Sequence, residues 1–246
     1  MIQRTAMFID IQGFGKLYRS DADSLWGLAD LMEGVYRLGR ESPRLGISRL
    51  FAHHIGDGFV LIDDGGVANA SLLAAAAVAL HQFTLLRSLH FCASAVTEGE
   101  MADVLHCYPK MVLEARTDDG VVRLGDGLMT LFPVMGTAII NTNRMLKEAH
   151  GSVILLPSEF KSKLEDGILY IEEEGMLFVN WIASTLPAIS IARQILGIDS
   201  VGIDDLKGRF QMAIERNACP SKWVARTSRF LALEAEPQMR PASLKE

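Results

Sequence analysis

Cysteine is scarce in this chain: Cys92, Cys107 and Cys219 are the only three, and none forms a C-x-x-C pair with another. An odd, scattered set makes no disulfide framework, and a reducing cytoplasm is the expected location. Basic residues are also in deficit, with 24 Lys and Arg against 30 Asp and Glu, a net charge of −6. That balance excludes an electrostatic clamp on DNA or RNA, which needs a basic face, so no nucleic-acid partner is expected. A triphosphate can still bind such a chain through metal ions and local basic groups. Residues 1–10 have no apolar stretch behind a basic segment, the pattern of a secretory signal. Long uninterrupted apolar runs are missing too. The stretch 67–89 is interrupted by Asn69, Ser71, His81, Gln82 and Arg87, and 176–196 by Asn180, Pro187, Arg193 and Gln194. A membrane span needs about 20 consecutive apolar residues, so both read as buried helices and no membrane partner is expected. There is no internal repeat and no low-complexity tract.

What is present is the composition of a folded domain, 49% hydrophobic and 22% charged over 246 residues. Residues 6–11 read as a short buried strand, broken by Gly13 and Gly15. Apolar positions Leu25, Leu28, Leu31, Met32, Val35 and Leu38 recur at helical spacing and predict a helix over 24–38. Strands at 49–54 and 59–62 flank Gly56-Asp57-Gly58, a hairpin signal. An alanine-rich helix over 69–89 and a strand over 90–96 follow. Turn signals at Asp118-Asp119-Gly120 and Gly125-Asp126-Gly127 suggest a hairpin or arm. A strand at 130–135, a helix at 138–149 and a strand at 152–156 come next, then helices at 181–196 and 206–218. Phe178, Trp181, Ile182, Ile189 and Ile195 suggest one apolar face. The order β-α-β-β-α-β, then β-α-β, predicts an α+β ferredoxin-like core. Residues 1–156 are read as the catalytic core, and 157–246 as its remainder plus a C-terminal helical extension in the same domain.

Three segments carry candidate chemistry. Asp10 is a carboxylate inside a strand of Met, Phe and Ile, where an unpaired charge is costly. Asp57 sits on the hairpin tip. If the two strands pair, the carboxylates converge and suit two divalent cations, the arrangement of in-line phosphoryl displacement. Phosphates have a place over 12–15, where glycines admit backbone N–H groups. The third segment, 136–145, opens a helix that carries Asn141 and Arg144, three residues apart and so on one face. His53 and His54 are adjacent in a strand and point to opposite faces. Each feature also has a structural reading: Asp-Gly as a plain turn, Asp10 as an edge residue facing water, Arg144 as a solvated helix charge.

Taken in order, these segments resemble the class III nucleotidyl cyclases, the adenylate and guanylate cyclase catalytic domains. Residues 8–14 (FIDIQGF) resemble the family's F-x-D-I-x-G-F strand and turn. Residues 53–62 (HHIGDGFVLI) resemble its metal-bearing hairpin. Residues 136–145 (GTAIINTNRM) resemble its helix start G-x-A-V-N-x-A-x-R-L, and 95–100 (AVTEGE) its strand end G-I-x-x-G-x. Leu206-Lys207-Gly208 resembles, more weakly, an L-K-G that precedes a late strand. The resemblance covers about residues 6–156. It implies closure of a nucleoside triphosphate to a 3′,5′-cyclic monophosphate with release of pyrophosphate. It implies two divalent cations, Mg²⁺ or Mn²⁺, on Asp10, Asp57 and the Ile11 carbonyl. It implies that Arg144 stabilises charge on the α-phosphate, and that a head-to-tail homodimer shares its active sites.

The departures are specific. The family's asparagine position is Ile140 here; either Asn141, three residues before Arg144, substitutes for it or the role is lost. The adenine-selecting lysine position is His53 and its partner position is Pro133. Phe14 and Gly13 stand where substrate binds. With neither adenine determinant present, the base pocket points toward a pyrimidine, as in the stand-alone Pycsar anti-phage cyclases that make cyclic UMP or cyclic CMP. The competing expectations are an adenylate or guanylate cyclase with an atypical base pocket, and an inactive cyclase-like dimerisation module.

Overall fold

The architecture comes from a computed structural model that describes residues 2–13, 21–63, 70–103, 107–117, 121–124, 127–130, 134–147, 150–217 and 219–232. Phe14 and Pro133 lie outside the described residues. The chain opens with β1 (Ile2–Ile11), α1 (Asp21–Arg40), β2 (Leu50–Ile55), β3 (Gly58–Asp63), α2 (Ala70–Ser88) and β4 (Cys92–Asp103). A short helix α3 (Lys110–Glu114) and the hairpin β5 (Val121–Leu124) and β6 (Gly127–Thr130) follow. Then come β7 (Val134–Gly136), α4 (Thr137–Lys147), β8 (Ile154–Pro157), β9 (Tyr170–Glu173) and β10 (Met176–Val179). The helices α5 (Pro187–Leu196), α6 (Ile203–Arg216) and α7 (Ser221–Phe230) complete the described chain.

The sheet runs β2-β3-β1-β4-β8-β10-β9, with β7 paired to the far end of β4. Its first four strands are antiparallel, β1 lying between β3 and β4. Two β-α-β units interleaved in this way are the predicted ferredoxin-like core. β8 joins β4 in parallel and the β9–β10 hairpin extends the sheet.

Strand alternation assigns the two faces. Met7, Ile9 and Ile11 of β1 pack into the large core with α1, α2 and the C-terminal helices. Ala6 and Phe8 point the other way, where Ala138, Ile139, Met145 and Leu146 of α4 cover the sheet. α2 is apolar all round because it is enclosed all round: it touches α1, α5, α6 and the sheet. It is the one described helix long and apolar enough to cross a membrane, and 83% of its apolar window is buried inside the fold. Its run of Ala74, Ala75, Ala76 and Ala77 allows the close approach.

Several boundaries differ from the sequence reading. β1 and β4 are longer than predicted, because their polar outer ends still pair, Ile2 with Met101 and Gln3 with Glu100. The predicted strand 130–135 is two pieces, β6 in the separate hairpin and β7 on β4. The predicted helix 181–196 starts only at Pro187, which has no N–H to continue a helix backward and sits in its first turn. The five apolar residues expected on one face are divided: Phe178 stacks on Phe230 on the α4 side, while Trp181, Ile182 and Ile189 enter the large core. Leu206-Lys207-Gly208 lies inside α6 rather than before a strand. β9, β10 and α7 have no counterpart in the sequence reading.

Two glycines let α4 sit close to β4. A Cβ on Gly99 would lie 2.5 Å from the Ala138 nitrogen, and one on Gly136 2.0 Å from the Glu100 oxygen. Thr97 Oγ1 donates to the Ala138 carbonyl at 3.0 Å across the same contact. Gly99→Ala should therefore destabilise the fold by about 1–3 kcal/mol, the cost of overpacking, measured by urea denaturation. Gly39→Ala, on α1 with nothing within 4 Å of the added carbon, should be stabilising by about 0.5–1 kcal/mol.

Candidate active site

The β2–β3 hairpin turns on Gly56 and Asp57, since Ile55 already pairs with Gly58. Gly56 has φ +63°, which fits a two-residue hairpin loop with glycine first. Gly58 is required for a different reason. A Cβ there would stand 2.7 Å from Asp10 Cβ and 2.5 Å from the Ile9 carbonyl oxygen. The Gly-Asp-Gly segment is thus both a turn and the seat of Asp10.

Register brings the two carboxylates together. Asp10 pairs with Gly58, and the Ile11 amide donates to the Asp57 carbonyl at 3.2 Å. Asp10 lies on the face of Phe8, the side that α4 covers, with Asp57 one residue from its cross-strand partner. The Ile11 side chain is buried in the opposite core, so only its main chain is available to the site. Gly13, with φ +78°, turns the chain away beyond Gln12.

The electrostatics match this geometry. Burial first, and the Asp57 charge second, push the Asp10 carboxyl up to about 7. Asp10 Oδ1 is buried without a hydrogen-bond partner among the described residues. A dication would relieve both the repulsion and the unmet acceptor. No group of three or more His, Cys, Asp and Glu side chains occurs among the described residues. Two carboxylates suffice for Mg²⁺-type ions, which are commonly held by one or two carboxylates together with substrate phosphates. The donor set therefore fits the implied metals.

His53 pairs with Val60, whose side chain lies on the α4 side of the sheet, so His53 faces the same side as Asp10. Burial holds its imidazole below the usual histidine range. His54 stacks on Phe59 at 5.0 Å on the other face, the division expected for adjacent strand residues.

Asn141 and Arg144 come together elsewhere. Both line a cavity of about 410 Å³ beside α4, with Thr97 and Glu98 of β4 and Pro157 and Glu159 at the end of β8. Ile140 is turned out, 54% exposed, so Asn141 is the asparagine on the face of Arg144. Neither Asp10 nor Asp57 lines this cavity. The carboxylates sit where β1 meets β3, and the cavity lies toward β8, with β4 between them in the sheet. Glu98 was missed as a wall residue. It ion-pairs with Lys163 at 2.5 Å, a contact between residues 65 apart that no local pattern signals.

No family model matches the chain, and no curated protein matches it. Solved structures do. The chain is similar to the guanylyl cyclase Cya2, at 12% identity and TM-score 0.43, over 75% of this chain and 94% of that one. It is similar to the guanylyl cyclase domain of the RhoGC fusion protein from the aquatic fungus Blastocladiella emersonii, in a monomeric double-mutant form, at 12% identity and TM-score 0.49, over 75% and 97%. It is also similar to a bacterial light-regulated adenylyl cyclase, at 10% identity and TM-score 0.44, over 81% and 57%. At these levels the likeness assigns no activity to the chain.

Asp10 gives a test of the metal site. Its folded-state value lies above the ordinary 3.8, so its contribution to metal-free stability is full below pH 3.8 and is lost as pH rises through about 7. A dication must displace the same proton. Mn²⁺ affinity should therefore rise about tenfold per pH unit up to about pH 7 and then level off, measured by titration calorimetry. Asp10→Asn should abolish both dependences.

Proposed function

We propose that this chain is a nucleotidyl cyclase, converting a nucleoside triphosphate to its 3′,5′-cyclic monophosphate and pyrophosphate. The observation that carries the reading is the Asp10–Asp57 pair. Two carboxylates, one of them half-buried with its Oδ1 out of water, are held against each other by strand register with no basic side chain bonded to Asp10 among the described residues. Asp10, Asp57 and the Ile11 main chain would hold two divalent cations, which would supply acidification of the ribose 3′-hydroxyl and neutralisation of triphosphate charge.

In the reaction the 3′-oxygen forms a bond to the α-phosphorus, and the bond from that phosphorus to the pyrophosphate oxygen breaks. The 3′ proton leaves to solvent and the electron pair leaves with pyrophosphate. Arg144 offers guanidinium donors to the α-phosphate oxygens as their charge builds, and Asn141 orients the ribose or phosphate from the same helix face. The two halves stand apart within one subunit. A head-to-tail homodimer, in which Arg144 serves nucleotide held on the other subunit's carboxylates, brings them together.

The substrate we infer is a pyrimidine nucleotide, UTP or CTP. At the position of the family's adenine-selecting lysine stands His53, on the sheet face of Asp10, with its imidazole held below the usual histidine range by burial. A neutral imidazole offers one donor and one acceptor to a base edge. The proposed setting is a cytoplasmic signal in anti-phage defence.

The test is incubation with ATP, GTP, CTP and UTP separately in Mn²⁺, with products identified by mass. A cyclic pyrimidine product that Asp57→Asn abolishes is the expected result. Cyclic AMP or cyclic GMP would overturn the base assignment and keep the chemistry. No cyclic product from a folded dimer would favour an inactive module, with Ile140 at the asparagine position as its cause.

A further inference from the structure

The C-terminal helices α6 and α7 lie far along the chain from Asp10, yet they grip one short turn that touches the end of its strand. That turn, residues 88–91, links α2 to β4. The Phe91 ring lies between Trp223 of α7, with centroids 4.8 Å apart, and Phe210 of α6, at 5.6 Å. Asn217 Nδ2, just past α6, donates to the Leu89 carbonyl at 2.9 Å. Leu89 has φ +59°, an uncommon conformation for a leucine that its surroundings must hold in place. Arg216 reaches Asp23 at the start of α1, at 3.1 Å.

The other side of the turn holds the site. The Phe91 carbonyl accepts the Gln12 amide at 2.8 Å, two residues beyond Asp10 and one beyond Ile11. His90 packs against α1 so closely that a Cβ on Gly27 would lie 2.6 Å from its ring. The β1–β3 ladder ends at the Asp10–Gly58 pair. Beyond it, β1 stays paired with β4 through Ile11 and Cys92, and the exit is further held by the Ile11 amide on Asp57 and the Gln12 amide on Phe91. The last of these bonds lies at Phe91, whose backbone leads into β4 and whose ring is packed by α6 and α7.

We infer that α6 and α7 are a positioning clamp for the Asp10–Gly13 turn, with Trp223 and Asn217 acting through residues 89–91 as positioning residues. The inference rests on the reading of Asp10 and Asp57 as metal ligands only for its consequence, tighter metal binding; the clamp itself is a property of the fold.

Two readouts separate the parts. The first is amide hydrogen exchange of peptides covering residues 11–13, which needs no metal. Trp223→Ala and the milder Trp223→Phe and Asn217→Ala are compared with Ile189→Ala, a core truncation on α5 that leaves the turn untouched. All variants are compared at equal distance below their own melting temperatures. Exchange at 11–13 should speed up at least tenfold in Trp223→Ala, by a smaller factor in the milder variants, and stay unchanged in Ile189→Ala. Equal exchange in the Trp223 and Ile189 variants would overturn the clamp, since α7 would then be merely stabilising. The second readout is Mn²⁺ affinity, expected to fall severalfold in the Trp223 and Asn217 variants alone. Faster exchange in Trp223→Ala, with a wild-type protein that binds no Mn²⁺, would uphold the clamp and sink the metal-site reading instead.

Discussion

Two carboxylates that repel each other are held side by side by backbone hydrogen bonds, and much of the chain's local chemistry answers to that constraint. Asp10 cannot move away, because β1 is paired there on both sides, with Gly58 of β3 and Ala93 of β4. Asp57 cannot move away, because its carbonyl carries the Ile11 amide. Gly58 is bare so that Asp10 fits, and Gly56 bends the hairpin so that Asp57 stays near. The cost appears as a carboxyl pushed up to about 7. An unpaired charge of this kind is tolerated in folded proteins where something binds it.

The sheet's alternation then decides what each face does. One face is committed to the large core, where α2 is enclosed and the C-terminal helices close over Phe91. The other carries Asp10 and His53, and α4 crosses it with Arg144 and Asn141. α4 is brought down by Gly99 and Gly136, and its polar face opens toward β8 rather than toward the carboxylates. One copy of the chain thus carries a carboxylate pair and an Asn141–Arg144 pair that do not meet. The proposed homodimer would join them by symmetry.

How much of this was legible in the sequence depended on the range of the contacts. The Gly-Asp-Gly hairpin, the ferredoxin-like order and the divergence of His53 from His54 rest on local pattern, and the structure has each of them. Asn141 and Arg144 share a face because helical spacing says so. The start of α5 is not legible because the apolar stretch runs on across Pro187, which occupies the helix's first turn. β9 and β10 leave no local signature because each has four residues and takes its register from a neighbouring strand, β10 from β8 and β9 from β10. The hold of Trp223 and Phe210 on Phe91, over more than a hundred residues of chain, has no local signature.

The claim at the centre of this account is that a working site takes its carboxylates from one subunit and its arginine from the other. Mixing Asp57→Asn with Arg144→Ala tests it directly. Each variant alone should be inactive. After exchange of subunits about half of the dimers are mixed, each with one intact site of two, so cyclic nucleotide production should return to about a quarter of the wild-type rate. Mixed dimers that form by mass yet make no product would contradict the shared site, as would an Arg144→Ala protein that is fully active on its own.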